Sequence, residues 1–566
     1  MPNNNDKYKN HSREELIDEL ETLKKKKYGL IWDKKNSQEM LDAFVNWENV
    51  PENFVPKQFP VLKEVKNKEI ETDKVKPANL LLEGDNYHSL AVLNFTHQNK
   101  VGCIYIDPPY NTGSKDFFFN DKFVDKDDPW RHSKWLSFMD KRLRLAKNLL
   151  KKDGVMFISI DDNEFAPLKM LCDEIFGQDQ VDVFIWRKSG DGRYGKMKNT
   201  TTFRKDHEYV IICYKKEKIL NKIKEIPQFQ NEYDNPDSDR RGPYKAGSIS
   251  RREDASNPEH KNYYEATSPS GKKFKRQFDI PKEDFIALDK DGRIYWGKNN
   301  DAVPAIKIFL KEERKITPYS ILLTKGTTTE GTEELNDILG GDFSALRPKP
   351  SLLIKTLIQL GSKTDSVILD FFAGSGTTGE AVMRLNKDDS GNRRFILCTN
   401  NAELNNNGEA VKHKICTDIC YPRVEKIING YKNTGNKKVA GLGGNLKYFK
   451  TDFVGSNSTD KNKRDLVNKS AEMICIKEDI FDLVADGGLD YRIYQKGKKF
   501  LGVIFDIDAI ANFKKEAKKH KGSFVVYCFS YTEATPEKEF KGLKNKYVLK
   551  PIPAVILRIY LEIFKK

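Results

Sequence analysis

Cysteine, long apolar runs and acidic charge are all in short supply in this 566-residue chain, and each shortage excludes something. No apolar stretch approaches the roughly 18 residues needed to cross a bilayer. Met1 to Asn10 is polar, with no signal-peptide core, so a cytoplasmic protein with no membrane partner is expected. The cysteines number 8, and most sit in apolar runs such as Val210 to Cys213, which suits buried free thiols better than a disulfide framework. His413, Cys416 and Cys420 are the one cluster resembling a metal site; no second ligand pair follows at zinc-finger spacing, and no metal is expected. Acidic residues number 83 against 98 basic ones, a net charge of +15 that suits a polyanionic partner without identifying it.

What the chain does contain is enough apolar material, 38% hydrophobic and 11% aromatic, to build cores and exclude wholesale disorder. The length suits about three or four domains. Ser12 to Lys27 carries a capping serine, Glu15 three residues on and lysines in the last turn, the signals of a helix. Val50 to Pro77 is rich in proline and lysine and reads as a connector. Apolar runs at Val101 to Ile106, Gly154 to Ile160 and Glu208 to Tyr214 then predict strands, and the spacing of Leu136, Met139, Leu143, Ala146 and Leu150 predicts a helix over Trp135 to Lys151. Residues 216 to about 345 turn polar, with basic pairs Arg240-Arg241, Arg251-Arg252 and Lys272-Lys273 interleaved with Tyr233, Tyr244, Tyr263, Tyr264, Tyr295 and Trp296. From Pro348 the α/β pattern returns: a helix opened by Pro350, a strand at Val367 to Asp370, a helix at Thr378 to Leu385 and a strand at Phe395 to Cys398. Beyond about Asn433 no motif stands out.

Two motifs carry chemistry. Asp107-Pro108-Pro109-Tyr110 directly follows a predicted strand; its prolines stiffen the loop and remove two N–H donors. If Asp107 and the Pro108 carbonyl each accept one hydrogen of an exocyclic amine, its nitrogen becomes nucleophilic, and Tyr110 can stack on the base. The bland alternative is a proline turn capping a strand. Asp370-Phe371-Phe372-Ala373-Gly374-Ser375-Gly376-Thr377-Thr378 lies at a strand-to-helix junction, where glycines let the backbone approach a cofactor beside the positive end of a helix. Gly374, Gly376 and Gly379 match the dinucleotide pattern G-x-G-x-x-G, but the acid expected about 20 residues on is replaced by Cys398-Thr399-Asn400. A phosphate-binding loop is also contradicted, because Glu380 and Ala381 stand where Lys and Ser or Thr are required. S-adenosylmethionine explains both motifs, since its electrophilic methyl group needs only an aligned nucleophile.

With these motifs in place the chain resembles the amino-methylating DNA methyltransferases, and in particular the modification subunits of type III restriction-modification systems. DPPYNTG at 107 to 113 precedes the FxGxG loop at 372 to 376, the permuted order of the family's beta class, and family-like stretches recur at 27 to 33, 81 to 90, 154 to 164, 291 to 298 and 347 to 353. The resemblance implies an α/β fold, a doubly wound and mostly parallel sheet with an inserted target-recognition domain and a C-terminal α+β region. The corresponding divisions are a helical extension and linker at 1–77, catalytic-domain parts at 78–215 and 346–432, target recognition at 216–345, and a C-terminal domain at 433–566 for dimer or partner contacts.

It further implies Asp107, Pro108, Pro109 and Tyr110 as the catalytic loop. Asp370, Phe372, Ala373, Gly374, Ser375, Gly376 and Thr377 are implied around the methionine part of S-adenosylmethionine. Asp85 falls near its adenine ring, and Lys349 and Pro350 open the helix flanking the pocket. Arg240, Arg241, Arg251, Arg252, Lys272 and Lys273 are candidates for contacts to double-stranded DNA. One departure stands out: the ribose-binding acid expected after the second strand is replaced by Thr399, Asn400 and Asn401, with Glu403 as a substitute. Asp at the head of the tetrapeptide favours adenine over cytosine, and the absence of a Pro-Cys pair excludes carbon-5 methylation. The implied assembly is a homodimer with a helicase-nuclease restriction subunit. A stand-alone methyltransferase, a non-catalytic DNA-binding subunit and a dinucleotide-dependent oxidoreductase are the alternatives.

Overall fold

The apolar run Val101–Ile106 forms a strand with every residue buried, near the middle of a ten-stranded sheet in the computed structural model of the chain. The structure describes residues 58–73, 76–113, 118–119, 122–189, 205–225, 232–312, 314–405, 412–455, 459–530 and 534–564, with isolated positions 12, 13, 32 and 203. The helix predicted over Ser12 to Lys27 and the family-like stretch at 27 to 33 otherwise lie outside the described residues.

In chain order the strands are β1 (Gln58–Glu64), β2 (Ala78–Glu83), β3 (Val101–Ile106), β4 (Leu150–Ile160), β5 (Val181–Arg187), β6 (His207–Tyr214), β7 (Ile321–Leu322), β8 (Val367–Asp370), β9 (Arg394–Thr399) and β10 (Asn445–Gly455). Their order in space is β1-β10-β2-β9-β8-β3-β4-β6-β5-β7. β10, β2, β9, β8, β3 and β4 run parallel, while β1 and β6 run against their neighbours. Parallel strands covered on both faces read as unbroken apolar runs, which is why β3, β4 and β8 were visible in the sequence.

The helices bearing on the site are α1 (Asn86–Thr96), α2 (Arg131–Leu149), α3 (Phe165–Phe176), α4 (Thr328–Leu339), α5 (Ser351–Gly361), α6 (Thr377–Asp389) and α7 (Tyr421–Asn429). From β3 the chain passes through α2 to β4 on one side; from β8 it passes through α6 to β9 on the other. Because such crossovers are right-handed, α2 and α6 cover opposite faces, and a crevice opens where the loops after β3 and β8 diverge.

Three expected divisions need correction. The connector read at Val50 to Pro77 contains β1, whose Phe59, Val61 and Leu62 are buried against β10. The catalytic unit extends past 78–215 and 346–432, because β1, β7 and β10 complete its sheet. The C-terminal region is no separate domain: helices Asp460–Lys469 and Ala471–Glu478 and a five-stranded sheet from Asp482–Asp486 to Tyr547–Ile552 belong to the same compact unit. One hydrophobic core runs from Phe59 to Tyr560; their rings stack at 5.3 Å, and the Tyr560 hydroxyl donates to Pro60 O at 2.5 Å. Proline-rich sequence hid β1, since an edge strand tolerates the Pro60 that a central strand would not.

The second compact unit is Asn221–Tyr319, shorter at both ends than the expected 216–345, because β7 and α4 belong to the first. It holds a three-stranded sheet (Tyr244–Ser248, Ala305–Phe309, Ile294–Tyr295), a hairpin (Tyr263–Thr267 with Lys273–Gln277) and the helix Lys282–Lys290. Tyr264, Phe274, Phe278, Phe285 and Trp296 form its core. All eight cysteines are buried and free, and no described helix is long and apolar enough to cross a membrane.

The sharing of β10 and the core makes a prediction. Truncation after residue 444 strips Leu446, Tyr448, Phe449 and Val454 from the interior. At about 1.5–3 kcal/mol each, that loss alone is comparable to the whole stability of a domain. The fragment is expected to be insoluble or to lack a cooperative melt by circular dichroism; a folded fragment with a normal melting transition contradicts the shared core.

Candidate active site

Asp107 directly follows β3, and the loop it opens is tied down from several directions. Trp135 Nε1 on α2 donates to Pro109 O at 2.8 Å. Asn111, fully buried at φ 55°, a left-handed conformation that asparagine tolerates, donates through Nδ2 to Glu164 Oε1 (2.6 Å) and Arg131 O (3.3 Å). The Tyr110 hydroxyl donates to Asp107 Oδ1 at 2.8 Å and reaches Glu208 Oε2 at 3.2 Å.

Two charged residues complete this cluster. Lys349 Nζ lies 3.1 and 3.0 Å from the two Asp107 oxygens, 3.3 Å from Glu208 Oε2 and 4.9 Å from the centre of the Tyr110 ring. Lys349 therefore does more than precede the flanking helix: its ammonium enters the catalytic loop, while Ser351 at the start of α5 donates through N and Oγ to Glu334. Burial opposes the Lys349 charge, but Asp107 and Glu208 outweigh it and raise its pKa. Burial likewise opposes the Glu208 carboxylate, yet Lys349 and Lys188, the latter 3.2 Å from Oε1, hold it below the ordinary range. Burial pushes Asp107 up against the pull of Lys349. Of two carboxylates facing one ammonium, Glu208 is the more stable anion because a second lysine reaches it.

The loop after β8 is built by a separate network. Asp370 Oδ1 accepts from Phe372 N at 3.0 Å and Oδ2 from Thr378 Oγ1 at 2.5 Å, and burial pushes this carboxyl up to about 7. Gly374 and Gly376 take φ of 49° and 81°. A Cβ on Gly376 would press on Cys420 Sγ at 3.1 Å, whereas on Gly374 it would meet nothing nearer than Phe372 O at 3.8 Å. Both glycines serve the left-handed turn, Gly376 also packing closely on Cys420, while a Cβ on Gly374 would make only ordinary contact. Behind the loop, fully buried Arg423 on α7 donates to Ser375 Oγ (3.0 Å), Thr377 Oγ1 (2.7 Å) and Glu380 Oε2 (2.9 Å). Glu380, which disqualifies the phosphate-binding reading, is the partner of the arginine that fixes the glycine loop.

A cavity of about 180 Å³ joins the two loops: Tyr105 and Asp107 line it from β3, Asp370, Phe372, Ala373, Gly374, Ser375, Thr377 and Thr378 from β8 and α6, and Leu346 to Lys349, Ile354 and Ile415 close it. Asp85, Gly376 and Pro350 do not line it. Asp85 accepts from Tyr87 N at the start of α1 and faces Arg142 at 3.5 Å; Gly376 and Pro350 cap α6 and α5. Asn86 nevertheless ties α1 to the loop, donating to Phe371 O at 3.0 Å. Asn401 accepts from Thr417, and exposed Glu403 opens a ribbon of Glu403–Asn405 with Lys412–Lys414.

Glu208 and Arg423 were not singled out in the sequence. Glu208 carries one signal, a charge at the head of an otherwise apolar strand; Arg423 lies 43 residues from Glu380, and nothing local connects them.

In the second unit Arg240, Arg251, Arg252, Lys272 and Lys273 are exposed, with Arg252 3.0 Å from Asp254 and Lys273 3.0 Å from Glu265. Arg241 is partly buried and binds both oxygens of Asp239 at 2.9 Å, Asp291 at 2.9 Å and Gly292 O at 3.1 Å, so its guanidinium is already engaged within the unit.

The DNA methylase family model matches residues 101–410. The chain is 32% identical over 376 residues to the type III restriction-modification enzyme StyLTI Mod subunit of Salmonella typhimurium, covering 62% of this chain and 57% of that protein. It is 31% identical over 479 residues to the EcoPI Mod subunit of Escherichia phage P1, covering 73% and 70%. It is 30% identical over 383 residues to the type II methyltransferase M.KpnI of Klebsiella pneumoniae, covering 63% and 89%. The match thus spans little more than half the length of the first of these relatives.

Two outcomes follow from the geometry. Arg423→Met leaves the buried Glu380 with only half-exposed Arg384 as a partner and is expected to cost up to about 3–5 kcal/mol, read as a lowered melting temperature; an unchanged melt refutes the bracing role. Asp370 binds a proton in the folded state that the unfolded chain releases near pH 4, so its contribution to stability falls as pH rises from about 4 to about 7. Asp370→Asn is expected to remove that slope from the pH dependence of the melting temperature, and parallel wild-type and variant curves contradict it.

Proposed function

Because the chain belongs to the DNA methylase family, we propose that it transfers a methyl group from S-adenosylmethionine to the exocyclic N6 amine of adenine in double-stranded DNA. The observation that carries this reading is the single cavity shared by Asp107 and the Gly374-Ser375 turn at the switch point of the sheet. The residues fit the cofactor: nothing lies nearer than Phe372 O, at 3.8 Å, to the Cβ position of Gly374, and Ser375 and Thr377 are held by Arg423. Asp370, Phe372, Ala373, Gly374, Ser375, Thr377 and Lys349 would hold it. The enclosed 180 Å³ is below the roughly 300–1,000 Å³ of sites that bury whole small molecules, so the cavity receives the part nearest Asp107 and the remainder extends beyond. When bound, the cofactor supplies an electrophilic methyl group.

The chain's own contribution is positioning and charge. Asp107 and the Pro108 carbonyl accept the two hydrogens of the target amine, which localises the nitrogen lone pair toward the methyl group. Pro109 O is engaged by Trp135 and fixes the loop instead. Tyr110 offers a ring on which the base can stack. An adenine inside a duplex cannot reach this recessed loop, so the base is flipped out of the helix. The exposed basic residues Arg240, Arg251, Arg252, Lys272 and Lys273 are assigned to phosphate contact, without Arg241.

The similarity to Mod subunits supports a modification subunit of a type III system; we assign it to the cytoplasm as a homodimer paired with a restriction subunit. A second reading, a stand-alone methyltransferase, is favoured by the match to M.KpnI over 89% of its length. Asp107→Ala is expected to lower radiolabelled methyl transfer to DNA by at least about a thousandfold, while calorimetry still registers S-adenosylmethionine binding. Full activity in that variant contradicts the mechanism.

A further inference from the structure

Asp107 is already engaged. Its two oxygens receive the Lys349 ammonium and the Tyr110 hydroxyl, and the same ammonium stands 4.9 Å from the centre of the Tyr110 ring. A target amine that hydrogen-bonds to Asp107 competes with Lys349 for both of its oxygens, and a base that stacks on the covered side of Tyr110 competes with it too. The displaced ammonium has a second acceptor within reach, Glu208 Oε2 at 3.3 Å, and the Tyr110 hydroxyl has the same one at 3.2 Å. Glu208 is buried and anchored on its other oxygen by Lys188.

We propose that Glu208 is a positioning residue that takes over Lys349 and the Tyr110 hydroxyl when the target amine claims Asp107, so that Lys349 is a displaceable stand-in for the substrate amine. The inference rests on the assignment of Asp107 as acceptor of that amine. Two carboxylates, Asp107 and Glu208, face two ammonium groups, Lys349 and Lys188, so moving one ammonium between the acids leaves the net charge of the cluster unchanged. Swinging Lys349 out to solvent would instead leave buried Glu208 and half-buried Asp107 with one lysine, a costly state for acids withdrawn from water. The hand-over needs only a shift between acceptors already within about 3.3 Å of the same nitrogen. Glu208 touches no reacting atom in this scheme; it acts through Lys349 and Tyr110.

The other titratable groups around the pair are Tyr105 on β3, Asp161 after β4 and Asp370 on β8. None of these is paired with Lys349, so the lysine's loyalty is decided between Asp107 and Glu208.

Glu208→Gln keeps the shape but cannot hold the ammonium, leaving Lys349 on Asp107. Methyl-transfer kinetics on DNA are expected to show kcat/KM lowered about 10- to 100-fold at neutral pH, the size of one lost charged hydrogen bond, with S-adenosylmethionine affinity unchanged. Glu208→Asp, which keeps the charge, should recover most of the loss and controls for folding. In the double variant Glu208→Gln with Lys349→Met, the Glu208 change should add no further loss to that of Lys349→Met alone. Wild-type kcat/KM in Glu208→Gln, or a loss that Glu208→Asp does not recover and that is additive with Lys349→Met, overturns the hand-over. Asp107→Ala separates the two ideas: its retained activity defeats the underlying mechanism, whereas an inactive Asp107→Ala beside a normal Glu208→Gln defeats only the hand-over.

Discussion

Two neighbouring parallel strands, β3 and β8, put an acidic residue at their carboxyl ends, Asp107 just after β3 and Asp370 at the end of β8, and the chain leaves them in opposite directions. Asp107 and Asp370 are consequently held side by side at one crevice although 263 positions separate them in sequence. Everything else in the site answers to that placement. The loop after β3 must be stiff enough to keep a carboxylate forward, which the two prolines, Trp135 and Asn111 achieve. The loop after β8 must turn sharply enough to leave space beside it, which Gly374 and Gly376 allow and Arg423 secures.

Charge burial is the energetic theme. Removing an ion from water costs several kcal/mol after relaxation, and such a group persists only when paired and hydrogen-bonded. This unit holds two such networks: half-buried Asp107 and Lys188 with buried Glu208 and Lys349 at the cavity, and fully buried Arg423 with Glu380. They differ in kind. Arg423 and Glu380 make short contacts with each other and with the glycine loop and brace a fixed turn. Lys349 and the Tyr110 hydroxyl each have two acceptors at similar range, which is the arrangement of a contact that can change hands.

Local patterns made the catalytic half of the fold legible. The β3, β6 and β8 strands are apolar runs at predicted positions, and Asp107 and the Phe372 to Thr377 turn announce themselves by composition and by their place at strand ends. Long-range pairing was not legible. β1 and β10 lie almost 400 residues apart and neither is a conspicuous run, so their meeting at the sheet edge, and with it the inclusion of the C-terminal region in the core, had no sequence signal. The same limit applies to side chains: Lys349 was noticed as a neighbour of a helix start, but its ammonium's destination depends on β6, which supplies Glu208. Arg241 shows the converse, since a basic pair reads as surface until Asp239 and Asp291 are seen to grip it.

The central claim is that the cavity between β3 and β8 places a methyl group on adenine. Single-molecule sequencing of DNA from cells expressing the protein tests it most directly, because it reports the modified base and its context together. N6-methyladenine is predicted within one recurring sequence context and absent from cells expressing Asp107→Ala; DNA with no modified adenine, or with the modification retained in the variant, would contradict it.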